Sequence, residues 1–117
     1  MSYDIYLKSQ VSGEEIQLTE PHYMTGGTYR IGGTPEAHLN ITYNYGGIFA
    51  KVLDGGIRAI YGMTGVKSIP VLETAIAKLK DDVADNYWDA TEGNAKVALT
   101  QLLALAQMRP DGIWDGD

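Results

Sequence analysis

The chain has 117 residues, 44% hydrophobic and 21% charged, with a formal net charge of −6 and no cysteine. These values predict one globular domain over residues 1–117 with a core of its own, and they exclude disulfides and thiolate metal sites. Met1-Ser2-Tyr3-Asp4 lacks a basic n-region and the longest apolar run, 97–108, is short and interrupted by polar residues, so neither a secretory signal nor a membrane span is expected and a soluble cytoplasmic protein is.

Residues 3–7 alternate in β-forming side chains and predict a strand. Ser12-Gly13 reads as a turn, and residues 15–18 alternate again, predicting a hairpin partner that Pro21 stops. Residues 28–31 predict a third strand between Gly26-Gly27 and Gly32-Gly33, joined to the next through Gly33-Thr34-Pro35-Glu36. Residues 39–45 form the clearest strand, with Leu39, Ile41, Tyr43 and Tyr45 on one face and His38, Asn40, Thr42 and Asn44 on the other. Residues 48–53 suggest a short helix stopped at Gly55-Gly56, and 57–61 a strand or loop edge.

Beyond this point the period becomes helical. Ser68 is the expected N-cap of a helix carrying Leu72, Ile76, Leu79 and Val83 on one stripe, with Pro70 in its first turn and Asp81-Asp82 near its end. Thr91 caps a final helix whose stripe is Ala95, Ala98, Leu99, Leu102, Leu103 and Ala106, and which Pro110 ends. Its scarcity of polar positions predicts cover on most sides, by the sheet or by a second copy of the chain. The fold class is therefore α+β: a small antiparallel sheet of three to five strands in the N-terminal half, packed against two C-terminal helices.

The charge is unevenly placed. Up to Lys80 there are seven acids and seven bases; from Asp81 onward Asp81, Asp82, Asp85, Asp89, Glu92, Asp111, Asp115 and Asp117 face only Lys96 and Arg109. Such a surface repels a nucleic-acid backbone and suits either solubility or a basic protein partner, with Asp81, Asp82, Asp85, Asp89 and Asp115 as candidate contacts. Residues 111–117 read as a solvated tail in which Trp114 either staples the tail to the body or anchors the partner, the staple being favoured.

A second array is the polar face His38, Asn40, Thr42 and Asn44, beside which Arg30 of the neighbouring strand can lie. Imidazole, amides, hydroxyl and guanidinium suit a polar ligand or nucleotide base, although a solvated sheet face is the commoner arrangement. The glycine pairs match no phosphate loop, His22 and His38 lack zinc-site spacing, and the Asn40-Ile41-Thr42 sequon has no secretory context. No catalytic residue, metal or cofactor is predicted.

Tyr3-Asp4-Ile5-Tyr6-Leu7, Gly26-Gly27-Thr28-Tyr29, Asn40-Ile41-Thr42-Tyr43-Asn44-Tyr45, Ser68-Ile69-Pro70-Val71-Leu72 and the run from Thr91 to Trp114 together resemble a family of small hypothetical proteins of bacteria and their mobile elements. The resemblance spans nearly the whole chain. It implies a phage or prophage accessory protein and brings no activity, substrate or site residue with it. Three functions follow as expectations: an accessory or anti-defence factor that occludes a host protein through its acidic face; a nucleotide-sequestering oligomer using the polar strand face; or an enzyme, should His22 or His38 prove to lie in a cleft beside a carboxylate.

Overall fold

A computed structural model describes residues 1–27 and 33–117. The expected strand at 28–31, and Arg30 with it, lies outside the described residues. The elements are β1 (Ser2–Lys8), β2 (Gln17–His22), β3 (Thr34–Glu36), β4 (His38–Thr42), α1 (Gly46–Val52), α2 (Gly65–Ala77), α3 (Glu92–Met108) and β5 (Ile113–Gly116). The class is α+β, with antiparallel strands in two small sheets packed with helices. Among the described residues no helix is long and apolar enough to cross a membrane.

The main sheet has the order β4-β1-β5, with Ile5 opposite Leu39 and Leu7 opposite Trp114. The alternation in β1 buries Tyr3, Ile5 and Leu7, and these join Leu39, Ile41 and Trp114 on the inner face. The other face carries Ser2, Asp4, Tyr6 and Lys8 of β1, His38 and Asn40 of β4, and Asp115 of β5.

Residues 111–117 are thus not a solvated tail. Their last part is a strand of the sheet, and Trp114 is fully buried, which removes it as a partner anchor. A side chain this large gains several kcal/mol from burial, on the order of 25 cal/mol per Å², provided its N–H is satisfied. The N–H is satisfied: Trp114 Nε1 donates to Ser68 Oγ at 2.8 Å.

Other boundaries move for local reasons. The best-patterned strand stops at Thr42, because the Thr42 hydroxyl accepts the Asn44 N–H at 3.2 Å and turns the chain into a 3₁₀ helix, Tyr43–Tyr45. Tyr45 nevertheless keeps its expected inward position and is fully buried. The hairpin partner begins as expected, with Ile16 N–H donating to the Leu7 carbonyl at 2.9 Å. It then leaves β1, and β2 runs on through Pro21 to pair with β3, so Thr34–Glu36 is a strand and not a turn. The short helix starts two residues early, at Gly46, and Ile57–Ile60 is 3₁₀ and not strand.

The cap of α2 is Thr64, whose hydroxyl accepts the Lys67 N–H; Ser68 lies inside the helix and is buried, and Pro70 lies inside it and is exposed. The N–H groups of Gly65 and Val66 are satisfied by the carbonyls of Gly112 and Pro110, so the loop before β5 closes this helix end. The helix stops at Ala77; Leu79 is still buried but Val83 is 60% exposed, outside the expected stripe. Thr91 caps α3 as expected, accepting the Asn94 N–H at 3.1 Å. Ala95, Ala98, Leu99, Leu102, Leu105 and Ala106 are all fully buried within the chain, chiefly against α2.

Candidate functional site

Between α2 and α3 the chain crosses the surface without regular structure, from residue 80 to residue 90. Four of the expected partner-binding acids lie here. The loop is fastened to the body by side chains from beneath it. Asn94, in the first turn of α3 and 5% exposed, donates through Nδ2 to the carbonyls of Asn86 (3.1 Å) and Asp89 (2.9 Å) and accepts the Ala84 N–H at 3.0 Å. Its amide is fully used. The buried Tyr45 hydroxyl donates to the Tyr87 carbonyl, and Asn44 Nδ2 donates to the Trp88 carbonyl at 2.8 Å. Asn44 is therefore a tether of this loop and takes no part in a ligand row on the sheet.

The start of the loop is held as firmly. The Asp82 carboxylate accepts the Gly93 N–H at 3.0 Å, a favourable position at the positive end of α3. Gly93 has to be glycine, since an added Cβ would overlap the backbone of Asp82 and Val83. Asp81 pairs with Lys96 at 2.7 Å, and the Lys80 N–H donates to Glu92 at 3.1 Å.

Held in this way, the loop presents its apolar side chains outward. Tyr87 and Trp88 are 39% and 42% exposed, with ring centroids 5.2 Å apart. Val83 and Val97 are also exposed and help line a shallow groove of about 250 Å³ with Asp81, Gly93, Lys96 and Thr100. Asp85 and Asp89 are exposed on the same loop. Aromatic and apolar side chains are thus exposed beside the carboxylates of Asp85 and Asp89. The sequence pattern singled out the acids and passed over Tyr87, Trp88 and Val97; adjacent aromatics in an acidic, non-periodic stretch were the available signal.

Asp115 is not part of this surface. It lies on β5, where its carboxylate bonds Lys8 Nζ at 3.0 Å and the Gly116 N–H at 2.8 Å. Those two donors hold its pKa below the ordinary carboxylate value.

The row His38, Asn40, Thr42, Asn44 is broken up. Asn40 and Thr42 are 2% and 1% exposed, so this part of the sheet is covered and is not open to a ligand. Asn40 Nδ2 donates to Asp4 Oδ1 at 2.7 Å and to Ser2 Oγ at 2.8 Å, and Thr42 caps the 3₁₀ helix. His38 remains partly accessible and lies among carboxylates. Its Nε2 is 3.2 Å from Asp4 Oδ1, and its Nδ1 is 3.4 Å from Glu15 Oε1 and 3.7 Å from Glu36 Oε2. Burial, with Glu36 adding to it, pushes the Glu15 carboxyl above its ordinary value, against the opposing effect of His38. His22 is different: its Nδ1 accepts the Met24 N–H and its Nε2 lies 2.7 Å from the Glu36 carbonyl, so both ring nitrogens are engaged by the backbone.

Comparison of the chain with family models, with curated proteins and with solved structures finds no match.

Proposed function

We propose that this chain is a protein-binding module that captures a basic, partly apolar segment of another protein on loop 80–90 and the adjoining surface of α3. The carrying observation is the exposed Tyr87–Trp88 pair on a loop tied down by Asn94, Tyr45 and Asn44. A loop fastened before its partner arrives loses little entropy on binding, and exposed Trp and Tyr are the side chains that most often dominate interface energies. Asp85 and Asp89 would favour a partner rich in arginine or lysine and speed its approach. Occupying a basic groove of a host protein in this way would suit an accessory or anti-defence factor.

The test is a fluorescence titration with a synthetic arginine- and leucine-containing peptide and with its glutamate-for-arginine counterpart. Binding should quench or shift the exposed Trp88 while leaving the buried Trp114 unchanged. It should weaken about tenfold or more in Trp88→Ala, which lacks the reporting indole and is titrated by calorimetry, and fall as ionic strength rises from ~0.01 to ~0.15 M, where screening shortens from about 30 to about 8 Å. Equal binding of both peptides, or of the Trp88→Ala variant, would contradict the proposal.

A further inference from the structure

We infer that Glu15, Glu36 and His38 bind a divalent transition-metal ion, with Asp4 and Asn40 holding the histidine in position. The three side chains come from the bend after β1, the end of β3 and the start of β4, and one ligand atom from each lies within 4.8 Å of the others. Ligands bound to one ion at about 2.1 Å in tetrahedral geometry are about 3.4 Å apart. The two spacings from His38 Nδ1, 3.4 Å and 3.7 Å, are close to that edge without any ion in place.

The surroundings of His38 select the nitrogen that would bind. Asp4 Oδ1 lies 3.2 Å from Nε2 and the two glutamates face Nδ1, so a ring proton held on Nε2 by Asp4 turns the Nδ1 lone pair toward the glutamates. A carboxylate on the far nitrogen is the usual orienting partner of a metal-binding histidine. Asp4 is itself fixed by the buried Asn40, whose amide donates to the same Oδ1 that His38 approaches. A further observation points to a missing electrophile. Glu15 Oε1 is shielded from solvent and has no hydrogen-bond donor among the described residues, and the neighbouring Lys8 is engaged by Asp115. A cation between Nδ1 and the glutamates gives that oxygen a partner.

One imidazole and two carboxylates without a thiolate suit Zn²⁺, Mn²⁺ or Fe²⁺ better than Mg²⁺, which prefers oxygen and its own waters. Three protein ligands leave at least one position for water or an outside group.

The experiment is thermal unfolding and calorimetric titration of the EDTA-treated full chain with Zn²⁺, Co²⁺ and Mg²⁺, with folding of each variant checked by circular dichroism. Zn²⁺ and Co²⁺ should raise the melting midpoint of the wild type, Co²⁺ with visible ligand-field bands, and Mg²⁺ should not. His38→Gln and Glu36→Gln should abolish the shift, Asp4→Asn should weaken binding about 10- to 100-fold, and Asp81→Asn should bind as the wild type does. Should His38→Gln not fold, Glu36→Gln decides, because its side chain is 45% exposed. No Zn²⁺ shift at ~1 mM, where sites of even modest affinity are filled, would overturn the assignment, as would an undiminished shift in Glu36→Gln.

Discussion

The indole N–H of Trp114 donates to the Ser68 hydroxyl at 2.8 Å, and that hydroxyl donates in turn to the Gly65 carbonyl at 2.7 Å. Both residues are fully buried. The relay joins β5 to α2 and makes the C-terminal strand part of the core. Ser68→Ala leaves the indole N–H unpaired and should cost about 1–3 kcal/mol. Trp114→Ala should cost about 3–5 kcal/mol. Urea denaturation of the two variants checks this. Peptide binding by folded Ser68→Ala should be unchanged, since neither residue touches the loop.

The α+β class was legible because period-2 alternation at 3–7, the first part of the alternation at 39–45 and helical spacing from 95 to 106 each matched the element formed. Positions governed by a single side-chain hydrogen bond were not legible. Thr42, Thr64 and Ser68 all have the chemistry of a cap, and only the packed chain selects Thr42 and Thr64 and leaves Ser68 to Trp114. The polar face at 38–44 failed as a row for the same reason: its alternation stops at Thr42, and Asn44 turns toward loop 80–90. The run of acids on loop 80–90 could be read from composition. The carboxylates around His38 could not, because residues 15, 36 and 38 meet only through the pairing of separate strands.

Asn94 is the main fastening of the loop, so Asn94→Ala should free it. Backbone amides between 84 and 89 should exchange with deuterium much faster, while those of β1 and β4 stay protected. Global stability should fall by about 1–3 kcal/mol from the lost buried hydrogen bonds. Unchanged exchange in the loop would show that Asn94 does not order it.

The phenols of Tyr45 and Tyr61 are pushed up to about 12, in both mainly by burial, with Asp117 also opposing ionisation at Tyr61. The folded state therefore holds these protons more tightly than the unfolded chain, whose tyrosines titrate near 10. Their contribution is complete below pH 10 and is lost as pH rises through about 12. Spectrophotometric titration should show a late-ionising tyrosine fraction that disappears with unfolding. In Tyr45→Phe the alkaline loss should be smaller and loop exchange faster, through loss of the bond to the Tyr87 carbonyl.

Asp115 has the opposite sign. Its depressed pKa, caused first by the Gly116 N–H and then by Lys8, means that its contribution is present above the unfolded value near 3.9 and is lost as pH falls through the lower folded value. Asp115→Asn should flatten the acid limb of a stability–pH curve and cost no more than about 1 kcal/mol at neutral pH, as expected for a partly exposed pair. Chemical denaturation between pH 2 and 7 measures it.

Hydrogen–deuterium exchange of the full chain with and without the arginine- and leucine-containing peptide locates the binding surface itself. Protection confined to residues 81–90 and the first turns of α3, absent in Trp88→Ala, is the predicted result. Protection centred on the β4-β1-β5 sheet face, or none at saturating peptide, would contradict the account.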